Sequence, residues 1–226
     1  MDAVLLQRLS QITEEERELL QGRGVDRALY ASGRAFEVDA AKMLEKGKLM
    51  SIRPHTRFAP FPRHSHNYVE IMYMCRGKTV HRIDGDALVT LEAGELLFLN
   101  RHASHAIQRA DAGDIAVNFI VLPQFFDEAF NMAGMDNVLS RFLLGELYTG
   151  GAAVSYLHFR VREVLPVQNL VENMVWTLVN RQPGARRINQ VTMGLLLLQL
   201  MHYTECIDMS RNGSVRSPMV EASVES

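Results

Sequence analysis

Two histidines separated by one residue, then a glutamate and a glycine further on, constrain this chain more than any other stretch. The segment His64-Ser65-His66-Asn67-Tyr68-Val69-Glu70-Ile71-Met72-Tyr73-Met74-Cys75-Arg76-Gly77 is rich in β-branched and aromatic residues and stops at a glycine. It reads as a strand closed by a turn. Successive strand side chains point to opposite faces, which puts His64, His66, Tyr68, Glu70, Met72 and Met74 on one face. Three potential ligands suited to a divalent transition metal then look into the same space, and His105 is the candidate for a fourth.

The spacing His-x-His, three residues, Glu, six residues, Gly resembles the first motif of the cupin superfamily. That resemblance implies a metal-carrying strand inside a small antiparallel β-barrel (a double-stranded β-helix), with zinc, nickel, iron or manganese held by His64, His66, Glu70 and His105. The family's second motif, Pro-x-Gly-x-x-His, corresponds here to Arg101-His102-Ala103-Ser104-His105. Its histidine is kept, its Pro and Gly are replaced by Arg101 and Ala103, and Arg109 stands where an Asn is expected.

A chain of 226 residues can bury a sizeable core. With 47% hydrophobic and 22% charged residues it has the composition of a globular protein, and a net charge of -2 gives the chain as a whole no electrostatic case for binding nucleic acid or an anionic membrane. The two cysteines, Cys75 and Cys206, form no Cys-x-x-Cys pair, so the expected setting is reducing and cytoplasmic. The longest apolar run, residues 191–201, falls short of the roughly 20 residues a membrane helix needs, so no membrane partner is expected.

In chain order, residues 1–48 read as a helical N-terminal arm. Leu5, Leu6, Leu9 and Ile12 recur at helical spacing, and Thr13-Glu14-Glu15-Glu16 has the form of a capping box for a second helix. Residues 49–122 change to short β-rich runs joined by turns at Arg76-Gly77, Asp84-Gly85, Gly94 and Asp111-Ala112-Gly113-Asp114, the rhythm of an antiparallel barrel or sandwich. Residues 123–205 are helical again, with apolar stripes over 124–132, 137–147 and 168–180 and a very apolar last helix over 188–203. That last helix is too greasy for a monomer's surface, and is expected either beneath the barrel or in a dimer contact. Residues 206–226 are polar and turn-rich and read as a linker.

A cupin barrel followed by apolar helices and a polar linker resembles the N-terminal effector-binding and dimerisation half of AraC-type transcription regulators. The resemblance covers about residues 50–205. It implies a ligand-sensing domain that works as a homodimer, binds a small-molecule effector, and contacts DNA only through a C-terminal helix-turn-helix half absent from this chain. It also implies a regulator and not an enzyme. An effector pocket would be lined by Tyr68, Met72, Met74, Phe98 and Asn118, with Arg53, Arg57 or Arg82 available to clamp a carboxylate. The competing reading is a stand-alone metal-dependent cupin enzyme, a dioxygenase or isomerase, whose acid or base would come from His81, Tyr73 or Tyr68.

Overall fold

The computed structural model describes residues 1–33, 35–149, 151–203 and 207–209. Helices α1 (Ala3–Leu9) and α2 (Glu14–Leu20) come first, then strand β1 (Glu37–Val38) and helix α3 (Ala40–Met43). Strands β2 (Met50–Pro54), β3 (Phe61–His66), β4 (Val69–Arg76), β5 (Lys78–Ile83), β6 (Ala87–Glu92), β7 (Leu96–Leu99), β8 (His105–Ile107) and β9 (Ile115–Val121) follow. After them come α4 (Asp127–Ala133), α5 (Val138–Leu143), a small hairpin of β10 (Tyr148–Thr149) and β11 (Ala152–Ala153), and β12 (Tyr156–Phe159). Helices α6 (Leu165–Val179) and α7 (Ala185–Met201) and strand β13 (Ile207–Met209) complete the order.

Two sheets dominate, one ordered β1-β3-β8-β5-β6 and the other β13-β12-β7-β4-β9-β2. Their pairings are antiparallel apart from β1 with β3. The sheets face each other across a shared apolar layer in which Ile83, Val89 and Leu91 of one meet Met72, Met74, Leu97 and Leu99 of the other. On β4 the alternation is strict. Val69, Ile71 and Tyr73 look outward into the main core, where α1, α4, α5, α6 and α7 cover the second sheet, while Glu70, Met72 and Met74 look inward.

Gly77 shows why the motif ends as it does. It turns β4 into β5 with φ of 80°, and a Cβ there would lie 2.2 Å from Asp114 Oδ1. That carboxylate accepts from the backbone N–H groups of Lys78 and Asp111, so it cannot move aside without abandoning both.

Four boundaries differ from the sequence reading. The segment from His64 to Arg76 is two strands in different sheets, broken at Asn67-Tyr68, because the Asn67 side chain accepts from Ala40 N–H and donates to Asp39, pinning a bend there. The arm of residues 1–48 holds the helices expected, including the Thr13/Glu16 capping box, yet β1 also joins the first sheet alongside β3. The second sheet runs past residue 122, since β12 pairs with β7 and β13 with β12. Of the linker over 206–226, only Ile207–Met209 fall within the described residues, and they form β13; the rest lies outside them.

Candidate functional site: a polyhistidine hollow in the barrel

His64 and His105 are direct cross-strand partners on β3 and β8, with ring centroids 4.2 Å apart. Glu70, arriving on β4 from the opposite sheet, brings Oε2 to 3.4 Å from His105 Nε2. One ligand atom from each of His64, Glu70 and His105 lies within 4.8 Å of the others, and all three residues are buried. His66 sits beside this trio, its ring edge-on to His105 at 5.8 Å between centroids, but its ligand atom is outside the 4.8 Å set.

The local bonding prepares these rings to donate lone pairs inward. His64 Nδ1 lies 2.9 Å from the carbonyl of Pro62, and His66 Nδ1 lies 2.7 Å from that of Tyr68. A carbonyl only accepts, so each Nδ1 carries the proton and each Nε2 carries the lone pair, the tautomer a metal ligand needs. Asn118 donates to Glu70 Oε1 at 2.9 Å and leaves Oε2 turned toward the histidines.

Two further histidines enter the same space. His81, on β5 between inward-facing Thr79 and Ile83, stacks 6.0 Å from His105, with its Nε2 on the Thr79 hydroxyl. His55 lies 6.2 Å from His81. Seven buried side-chain polar atoms among the described residues have no hydrogen-bond partner, and every one belongs to this hollow: His55 Nε2, His66 Nε2, Glu70 Oε2, His81 Nδ1, both His105 nitrogens and Asn118 Oδ1. The Glu70–His105 approach lies at the long edge of hydrogen bonding and relieves two of them weakly at best.

Burial sets the charge states. It pushes the imidazoles of His55, His64 and His66 down to about 4. It holds those of His81 and His105 well below the ordinary value, with the neighbouring histidines adding repulsion. Burial also raises the Glu70 carboxyl to about 7, opposed by the Asn118 hydrogen bond and the Arg53 charge. Near neutrality the hollow is therefore a set of neutral imidazoles around one carboxyl, which suits a divalent cation better than an organic anion.

The open space is small. A cavity of about 40 Å³ is bounded by Tyr30, Arg53, His55, His64, Glu70 and Asn118 among others, with Met43 and Tyr68 also in its wall. By the usual requirement of roughly 10–15 Å³ per water, it admits a few waters or an ion and its solvent, well under an effector-sized volume. The lid is the N-terminal arm. Tyr30 and Phe36 cluster with Phe61 over the His64 ring, and the Tyr30 hydroxyl donates to Glu15.

Of the five residues expected to line an effector pocket, Tyr68 and Asn118 do. Met72 and Met74 face inward but lie in the apolar layer with Leu97 and Leu99, so they form the floor's packing. Phe98 points the other way, against Phe159 in the helix-covered core, because it alternates with inward-facing Leu97 and Leu99. Arg53 borders the cavity and stacks on Tyr30. Arg57 is wholly engaged by Glu16 and by backbone carbonyls of Ser10, Gln11 and Ala112, and Arg82 is exposed. Tyr73, one of the acid or base candidates, donates to Gln168 on the outer side of the sheet. His55 and Tyr30 carry no periodic signal in the sequence, whereas His81 was readable from the Thr79-His81-Ile83 alternation.

The AraC-like ligand binding domain family matches residues 51–130. No curated protein matches the chain. Among solved structures, apo ToxT K231A of Vibrio cholerae superposes with a TM-score of 0.51 at 11% identity, over 70% of this chain and 57% of that one. The DMSP lyase DddQ of Ruegeria pomeroyi aligns at 20% identity over 31% of this chain and 36% of its own, with a TM-score of 0.27. A cupin protein of Bacteroides fragilis aligns at 28% identity over 32% of this chain and 64% of its own, also with a TM-score of 0.27. The chain thus spans little more than half of the ToxT chain, and at 11% identity that likeness is one of fold. Strands β3 to β9 and all six hollow-forming residues, from His55 to His105, fall within residues 51–130, the part of the chain that is similar to the AraC-like ligand binding domain family.

Proposed function

We propose that this chain is the sensing and dimerisation part of an AraC-type transcription regulator working in the cytoplasm, with a divalent metal in the barrel and a small effector admitted when the N-terminal arm lifts. The observation that carries the reading is the convergence of seven unpartnered buried polar atoms beneath a lid supplied by the arm. Leaving such atoms unpaired costs on the order of 1–3 kcal/mol each. A cation ligated by His64, Glu70 and His105, with His66 as the fourth ligand, would pair Glu70 Oε2, one His105 nitrogen and His66 Nε2, three of those seven atoms. The metal would present a Lewis-acidic anchor for an effector oxygen or nitrogen. Arg53 and Asn118, already at the cavity wall, would orient the rest of it. DNA contact belongs to a helix-turn-helix half outside this chain.

Dimerisation through α7 is supported by Ile188, Val191, Leu195 and Leu198, which recur at alternating three- and four-residue steps; the first three are 41%, 37% and 43% exposed. That is the spacing of a two-helix seam. The test of the sensing claim is hydrogen exchange on the full chain across a panel of small polar metabolites. A metabolite that stabilises the fold should change protection over residues 27–44, and stabilising ligands that leave that segment untouched would contradict the lid. The enzyme reading draws on one feature, the unpartnered His81 Nδ1 stacked on His105, and predicts metal-dependent turnover that a His81→Phe change abolishes.

A further inference from the structure

Arg53 stands between two carboxylates that belong to different parts of the molecule. It lies on β2, whose register pairs it with Asn118 of β9, and Asn118 in turn donates to Glu70 Oε1 at 2.9 Å. Arg53 and Glu70 border the same small cavity. Burial raises the Glu70 carboxyl, and the Arg53 charge is one of two influences that oppose the rise. Glu70 Oε2 has no hydrogen-bond partner, so this influence acts through charge alone.

On its other side Arg53 meets the arm. Its Nη2 lies 3.5 Å from both Glu15 Oε2 and the Tyr30 hydroxyl, its Nη1 lies 2.9 Å from Met43 Sδ, and its guanidinium sits over the Tyr30 ring, 4.9 Å from the centroid. The Tyr30 hydroxyl donates to Glu15 at 2.6 Å, which ties α2 to the segment that covers the cavity. The Arg53–Glu15 contact is at the long edge of hydrogen bonding, yet both side chains are sheltered, 33% and 13% exposed, so their charges are only partly screened. Neither carboxylate holds the guanidinium fully.

We propose that Arg53 is a counter-ion shared by Glu70 and Glu15, and that occupation of the hollow by a divalent cation shifts it wholly to Glu15, which makes the cation itself a signal that the arm reads. The proposal rests on the divalent-ion reading given above. With a cation on Glu70, Arg53 loses the negative charge that draws it inward and faces a like charge across the cavity, where the effective dielectric is low. Glu15 is the carboxylate left to receive it. A closer Arg53–Glu15 contact draws α2 and Tyr30 onto the rim, where Tyr30 packs on Phe61 and Phe61 on the His64 ring. The size of the closed hollow points the same way, since about 40 Å³ suits an ion and its solvent and not a metabolite. The coupling is reciprocal, so the grip of Glu15 on Arg53 also sets how tightly the cation is held.

The experiment titrates zinc into the chelator-treated full chain and follows zinc affinity together with hydrogen exchange over residues 14–30, in the wild type, Arg53→Gln and Glu15→Gln, with the metal-free melting temperature reporting that each variant is folded. Zinc should slow wild-type exchange over that segment about fivefold or more, the lower end of ordinary coupling between sites. Arg53→Gln should bind zinc more tightly than the wild type, because a like charge has left the cavity wall, while its arm no longer responds. Glu15→Gln should bind zinc about fivefold more weakly, since Arg53 then has only Glu70 to compensate it. A packing role for Arg53 would not move the two affinities in opposite directions. Zinc bound with unchanged arm exchange in the wild type, or affinities in the two variants that fail to diverge, would overturn the relay and leave the ion site standing. Failure of zinc to bind any of the three chains would overturn the ion site and the relay together.

Discussion

At the scale of single residues, Glu70 carries two opposed effects that one substitution separates. Its carboxyl is ordinarily at 4.5 unfolded and near 7 in the fold. The native state therefore prefers it protonated, and stability conferred below pH 4.5 is lost as pH rises through 7, on the order of 3 kcal/mol in all. Glutamine copies the protonated acid and still accepts the Asn118 hydrogen bond. Metal-free Glu70→Gln should thus be more stable than the wild type at pH 8, by up to about 3 kcal/mol, and match it below pH 4.5, as urea denaturation at both values would reveal. Its affinity for a divalent ion should fall. A variant less stable than wild type at pH 8 would mean the carboxylate is already compensated in the empty hollow. The inward phase of His64, His66 and Glu70 was legible in the sequence because side-chain alternation continues through the bend at Asn67-Tyr68. His55 was not legible, since it follows Pro54 in a segment with no periodicity, and its burial is set by Ala116 and Asn118 on a strand far away in sequence.

At the scale of elements, the arm and barrel are fastened by one buried ion pair. Arg57 donates through Nε and Nη2 to both oxygens of Glu16, at 2.6 and 2.8 Å, and Glu16 simultaneously closes the capping box of α2. Glu16→Ala strips the cap and strands a buried guanidinium, so it should cost about 3 kcal/mol and expose residues 1–30 to proteolysis before the sheets unfold. Retained arm protection in that variant would deny the tie. Gly77→Ala should cost about 2–3 kcal/mol, since it meets both the positive φ and Asp114, and a thermal shift measures it directly. The capping box was readable from Thr13 and Glu16 alone, but its distant partner was not. Nothing local to Arg57 distinguishes a guanidinium that fastens two elements from one that clamps a ligand. The proposed dimer seam on α7 predicts a dimer in sedimentation that Leu195→Glu converts to monomer without loss of melting temperature, because the residue is 43% exposed within the single chain; a wild-type monomer would contradict the seam.

At the scale of the whole molecule, the hollow makes stability depend on pH. His55, His64 and His66 bind protons near 6.5 unfolded but only near 4 in the fold, and His81 and His105 resist protonation too. Between these values the unfolded chain holds protons the fold rejects, so stability should fall steeply as pH drops from 6.5 toward 4. Glu70 works with the opposite sign between 4.5 and 7, but it is one group against five. A urea midpoint that stays level over this range would mean the histidines are not buried as neutral rings. The barrel's place in the chain was legible from turn rhythm and strand spacing. That β12 and β13 extend the second sheet beyond the helices α4 and α5 was not, because Tyr156–Phe159 is a run of four residues whose strand character comes from pairing with β7.

The most direct test of the account is metal titration of the chelator-treated chain, followed by X-ray absorption at the bound ion's edge. The account predicts one divalent ion per chain, with imidazole and carboxylate ligands, lost in His105→Phe while the circular dichroism spectrum of the metal-free chain persists. Failure of the full chain to bind zinc, nickel, iron or manganese in stoichiometric amount, or binding unchanged by His105→Phe, would contradict it.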